Sequence, residues 1–265
     1  MQKAITPKFL RALHDHFRKP GEPVADSMYS QLVDLYLGFF FFVGRCCEFC
    51  FTSRPGRTTR VTVADVEFRD ATMTLVVLTE ETDLDSLMFV TVRFREQKNK
   101  QKSQKRTQGR TNDPVLDPVL RLARAVLRIK RKVEDWNGDT ELCTIGRKSN
   151  ETRISDKLVL ETLRMVCRIH GSNGCFGFKP EEIGNKSLRS GAAMAMFLSK
   201  KGYGEVAIKF LGRWRSMAFM DYIRPQAMEA TSDTAAHMVN HTVTDLSSID
   251  TDGLGNRIAV LRIDY

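Results

Sequence analysis

Between Asp34 and Arg45 the chain runs from Leu35 to Gly44 without a charged side chain, and four of those residues are consecutive phenylalanines, Phe39 to Phe42. A bilayer-spanning helix needs about 20 apolar residues, so this stretch is too short to cross a membrane, and charge flanks it closely. It reads as a buried helix around which the rest of a core must assemble. Asp26 or Ser27 can cap it, and Tyr29, Leu32, Val33 and Tyr36 carry the pattern through the phenylalanines to about Phe51. With 265 residues the chain can form one large domain or two small ones with a sizeable core. The N-terminus, Met1 to Pro7, lacks the apolar core of a signal peptide, so the expectation is a soluble protein that is not secreted and meets no membrane.

Around that helix the pattern predicts an α+β fold, mainly helical. Phe9, Leu10, Leu13 and Phe17 at helical spacing predict a short helix over 8–18, stopped by Pro20-Gly21. Three β-like runs, Val61 to Phe68, Met73 to Leu78 and Met88 to Phe94, predict a small antiparallel sheet. Val119 to Val133 reads as a basic amphipathic helix, and Trp136-Asn137-Gly138-Asp139 as a turn. Ser155 or Asp156 caps a helix to about Ile169, broken by Gly171 to Gly174. Further helices are expected from about Ser187 to Lys200, Glu205 to Leu211, and Ser216 through Tyr222, ended by Pro225.

Charge narrows the class of partner. The net charge is +9, yet residues 226–265 carry six acids against Arg257 and Arg262, a net of −4 that leaves +13 on residues 1–225. A body of that charge favours a polyanion through counterion release, and nucleic acid is the usual one. From Arg93 to Arg110 there are eight basic residues and one acid, which predicts an exposed basic hairpin or loop, or an import signal around Lys98 to Arg106. Six cysteines are too few for a disulfide scaffold in a chain this size. Cys46, Cys47 and Cys50 share one predicted helix with no second pair at metal-ligand spacing, so buried free thiols are expected and no metal.

Two basic clusters suggest chemistry. Tyr222 follows Arg213 by nine residues in Leu211-Gly212-Arg213-Trp214, and Lys186-Ser187-Leu188-Arg189 stands upstream. A phenol among guanidiniums suits attack on a phosphodiester whose charge the arginines hold. Arginine is fit for this because its guanidinium is planar, permanently charged and able to grip two phosphate oxygens.

Taken in order, these patches resemble a tyrosine recombinase catalytic domain, nearest to the integrase-like recombinases of eukaryotic Crypton and DIRS-like mobile elements. The patches are Gly44-Arg45 with Glu48 three residues on, Phe94 to Lys100 followed by Arg110 to Val115, Phe178 to Gly184 leading into Ser187 to Ala193, and Leu211 to Pro225. The resemblance covers roughly residues 3 to 225. It implies a catalytic domain over 1–225 and an acidic tail over 226–265, acting on double-stranded DNA with self-association on it. The implied reaction is DNA cleavage and rejoining through a 3′-phosphotyrosyl intermediate, in recombination or integration. Tyr222 is then the nucleophile, and Arg45 and Arg189 clamp the scissile phosphate. Lys98 is the general acid, with Lys100 and Lys102 competing for that role, and Lys100, Lys102, Lys105 and Arg106 contact DNA. Glu48 orients an arginine. Arg213 contacts phosphate while Trp214 packs beside it. No metal, nucleotide or small-molecule cofactor is needed, because the covalent link conserves the bond energy. The setting is nuclear if the source is eukaryotic and cytoplasmic otherwise.

Two departures temper the resemblance. The family usually has histidine where this chain has Lys186, and an ammonium donates a proton but does not accept one. Fewer than 30 residues precede the first long helix, too few for the N-terminal DNA-binding domain such enzymes usually carry. Both motivate an alternative expectation, a domesticated DNA-binding protein with impaired chemistry.

Overall fold

The computed structural model describes residues 2–18, 27–53, 58–97, 102–146, 152–171, 175–199, 203–216 and 219–220. Among them the fold is mixed α+β, with seven α-helices, a four-stranded antiparallel sheet and a two-stranded one. The chain divides into Met1–Ile223 and Arg224–Tyr265, and the second unit lies outside the described residues.

Helix α1 (Pro7–Phe17) starts where Thr6 accepts from the Phe9 N–H and Pro7 supplies a ready first-turn φ, and it buries Phe9, Leu10 and Leu13. The phenylalanine-rich run does form a buried helix, but it stops earlier than its pattern suggests. Ser27 caps α2 (Met28–Phe40), which is buried from Ser30 to its end. The chain then turns through Phe41–Val43, with Val43 at φ 50°, a left-handed conformation uncommon for a β-branched residue. Gly44 closes the turn by donating to the Phe39 carbonyl at 3.0 Å. A separate short helix, α3 (Cys46–Phe49), follows with Arg45 as its N-cap, so the single helix expected to Phe51 is in fact two.

The sheet comprises β1 (Val66–Arg69), β2 (Leu75–Val76), β3 (Phe89–Glu96) and β4 (Lys102–Gly109) in the order β2-β1-β3-β4. The first predicted strand is shortened because Val63–Asp65 forms a 3-10 turn. Its cause is the Asp65 carboxylate, which accepts from Thr62 N and Oγ1 at 3.1 Å each and from Arg93 and Arg95 Nε at 2.9 and 2.8 Å. The basic segment supplies the fourth strand, paired with β3 in the register Val92↔Arg106 and Glu96↔Lys102.

Asp117 caps α4 (Pro118–Lys132), which packs along α2. The basic amphipathic helix is formed, but its basic residues do not all face solvent. Arg121 and Arg128 are fully buried on the two oxygens of Asp34, at 3.1 and 2.8 Å. Strands β5 (Thr144–Ile145) and β6 (Thr152–Arg153) pair with each other, and Ser155 caps α5 (Asp156–His170). Last come α6 (Ser187–Phe197) and α7 (Glu205–Gly212). The N-terminal segment lies on α6, with Ile5 N donating to the Ser187 carbonyl at 3.0 Å. Gly191 permits this approach, since a Cβ there would fall 2.0 Å from the Ile5 carbonyl oxygen.

All six cysteines are free; Cys46, Cys50, Cys143 and Cys167 are buried, Cys47 is half-buried and Cys175 is exposed. Burial pushes the Cys143 thiol up to about 12, and among the described residues no three metal-ligating side chains cluster. Among those residues no helix is long and apolar enough to cross a membrane.

Candidate active site

Three arginines that are far apart in sequence meet around one buried carboxylate. Glu48 sits on α3, where its side chain reaches back to the start of its own helix and accepts from the Arg45 N–H at 2.8 Å. The same carboxylate takes Arg45 Nη1 at 2.9 Å and Arg213 Nη2 at 2.7 Å. Burial by itself would raise the Glu48 pKa, but the guanidiniums of Arg213, Arg45 and Arg189 outweigh it and hold the group below its ordinary value. Glu48 is therefore a carboxylate at neutral pH, with each oxygen engaged by a cationic donor.

Arg213 is the most enclosed of the three. It ends α7 in a left-handed conformation, φ 58° and ψ 40°, which turns its side chain inward. Gly212 is required beside it, because a Cβ there would lie 1.7 Å from the Trp214 ring. Besides Glu48, Arg213 donates to Gln97 Oε1 at 3.0 Å and the Phe42 carbonyl at 2.9 Å, and its guanidinium carbon lies 3.6 Å above Phe94. Burial lowers its pKa more than Glu48 raises it, though a guanidinium remains charged in either case. The direct phosphate contact expected of Arg213 does not fit this placement: its guanidinium is turned into the protein and holds other groups in place.

Arg189 rises from the first turn of α6 and is buried. It donates to the Val43 carbonyl at 3.0 Å and to the Gly212 carbonyl, and it stacks 4.0 Å above Trp214. The left-handed turn at Val43 thus directs neighbouring carbonyls to two different arginines, Phe42 to Arg213 and Val43 to Arg189. Strain of this kind in the backbone is commonly held at sites where geometry matters more than local comfort. Arg45 keeps a fifth of its side-chain surface exposed and also donates to Gln97 Oε1, at 3.1 Å. The assembly therefore presents one partly open guanidinium, backed by two buried ones and a single carboxylate. That is a positive centre able to hold an anion's oxygens, and in a poorly solvated setting its charge is weakly screened.

The remaining predicted residues divide. Lys186 is exposed one helical turn before Arg189, and its main-chain N–H donates to Gln2. Lys102 and Lys105 are exposed on β4, facing Glu96 and Glu67 at 3.5 and 3.0 Å. Arg106 is not on the solvent face of that strand. It is buried, donates to the Phe210 carbonyl at 2.8 Å and lies 3.9 Å over the Phe210 ring, because its β4 position points toward the end of α7. Trp214 is half-buried between Arg189 and Phe219. Tyr222, Lys98 and Lys100 lie outside the described residues. Gln97, which no motif singled out, proves central: its oxygen joins Arg45 to Arg213, and its Nε2 is buried without a hydrogen-bond partner. Its one sequence signal is its place beside Lys98.

No known protein-family model matches the chain, and no characterised protein matches it in sequence.

Proposed function

We propose that this protein cleaves and rejoins DNA strands as a tyrosine recombinase. The observation that carries the reading is the convergence of Arg45, Arg189 and Arg213 on the buried Glu48, from three separate helical elements. Guanidiniums fixed in a poorly solvated site can hold an anion's oxygens and offset the charge that develops on them.

In this reading Arg45 contacts the scissile phosphate, while Glu48, Gln97 and Arg213 position it and Arg189 adds charge from behind. The roles of Tyr222 and Lys98 rest on the sequence resemblance. The Tyr222 phenol gives its proton to water, its oxygen bonds to phosphorus as the bond to the 5′-oxygen breaks, and the Lys98 ammonium protonates that departing 5′-oxygen. A 3′-phosphotyrosyl link and a 5′-hydroxyl result, and attack by a 5′-hydroxyl on that link restores the phosphodiester with no net hydrolysis. Lys186 favours a second reading, a DNA-binding protein derived from such an enzyme with impaired chemistry, because its ammonium does not take up the phenol proton.

Incubation with a library of nicked duplexes, in which the released end diffuses away, tests both. The wild type is expected to form a covalent adduct that survives denaturation. Tyr222→Phe is expected to bind DNA with unchanged affinity and form none. If wild type forms no adduct while Lys186→His does, the chain is an impaired recombinase. If Tyr222→Phe still forms one, the nucleophile is another residue.

A further inference from the structure

The basic stripe of α4 lies apart from the site above. Arg121, Arg124 and Arg128 recur at three- and four-residue spacing and so share one face of the helix. That face turns toward α1 and α2. Arg121 and Arg128 take the two oxygens of Asp34 on α2, and Arg128 also donates to Gln31 Oε1 at 2.6 Å. Arg18, which caps the C-terminal end of α1, joins the same group.

Four guanidiniums lie close together in this group. Both oxygens of Asp34 are taken, one by Arg121 and one by Arg128. The Arg18 pKa is pushed down to about 10, first by burial and then by Arg121, Arg124 and Arg128 against the pull of Asp34. Arg124 is lowered in the same way, by burial first and then by Arg121. His14 offers little relief. Arg18 Nη1 lies 3.3 Å from its Nε2 and Asp15 lies 2.8 Å from its Nδ1, so the ring serves as an acceptor toward Arg18 and a donor toward Asp15. Two buried donors are left without a hydrogen-bond partner, Arg18 Nη2 and Arg124 Nη1. Buried charged donors ordinarily meet acceptors, and these two lie beside guanidiniums that help to lower the pKa of both Arg18 and Arg124.

We propose that the cluster of Arg18, Arg121, Arg124 and Arg128 between α1, α2 and α4 binds a small oxyanion of the phosphate class, with Arg18 Nη2 and Arg124 Nη1 donating to it. A tetrahedral oxyanion supplies the several acceptor oxygens that guanidinium forks match. A DNA backbone does not fit, since Arg121 and Arg128 are fully buried. The site is separate from the Glu48 centre and holds whether or not the protein cleaves DNA.

Inorganic phosphate is the probe. Full-length protein is titrated with it by calorimetry, and its melting temperature is compared in phosphate and chloride at equal ionic strength. Saturable binding and a phosphate-specific rise in melting temperature are expected. Arg18→Gln and Arg124→Gln should each weaken binding by about tenfold or more, as loss of a charged hydrogen bond implies, whereas Arg45→Gln should leave this binding in place. No phosphate-specific effect in the wild type overturns the proposal, as water then suffices for the two donors. Unchanged affinity in the Arg18 and Arg124 variants, or loss in Arg45→Gln alone, overturns it too. Should Arg124→Gln fail to fold, the half-buried Arg18→Gln decides the matter.

Discussion

Gln97 shows how far one neutral side chain can govern a charged site. Its two neighbours, Arg45 Nη1 and Arg213 Nε, have only protons to offer, so the amide must turn its oxygen to both. This fixes the distance between a partly open guanidinium and a buried one. Gln97→Leu keeps the approximate volume and removes the acceptor, which leaves Arg213 Nε unmet while Arg45 Nη1 keeps its bond to Glu48. We expect a loss of about 1–3 kcal/mol in stability, read as a lower urea midpoint at unchanged slope. A midpoint equal to wild type would mean that the bridge contributes nothing. The motifs pointed to the lysine next door, and no residue pattern marks a glutamine as the joint between two arginines.

Among the elements, the pairing of α2 with α4 departs most from what periodicity suggests. The apolar positions Val119, Leu122, Ala123, Val126 and Ile129 are buried as an amphipathic helix requires. Yet two arginines are buried with them, because α2 presents Asp34 at the matching height. Asp34→Ala strips the shared acceptor from both Arg121 and Arg128, and breaking such a buried group costs about 3–5 kcal/mol. Chemical denaturation of the variant should show that loss, and an unchanged stability would place the two arginines in contact with water. Helical periodicity separates two faces but does not say which face meets solvent. A second helix decided that here, through a charge nearly ninety positions away in sequence.

For the whole molecule, the surplus of positive charge matters less than where it is spent. Arg60, Arg93, Arg95 and Arg110 are held by Glu141, Asp65 and Asp117, acids already counted in the net +13 on residues 1–225, so that net charge is carried by the other basic side chains. Residues 226–265, at a net of −4, oppose less than a third of it. Deletion of residues 230–265 should strengthen nonspecific DNA binding at low salt and steepen its salt dependence. Equal affinities of the full and shortened chains across a salt series would show the tail to be electrostatically inert. Residue order alone narrowed the cap of α2 to Asp26 or Ser27 and that of α5 to Ser155 or Asp156, and it showed the burial of the phenylalanine run and the antiparallel sheet, since each follows from local pattern. It also marked Arg45, Arg189 and Arg213 as belonging together. Only the tertiary structure decided that Arg213 and Arg106 point inward, that α2 ends at Phe40 before a left-handed Val43, and that Gln97 joins Arg45 to Arg213. Those outcomes depend on which distant carbonyls and carboxylates come within about 3 Å of a guanidinium, a distance that the chain sets by folding and local pattern does not encode.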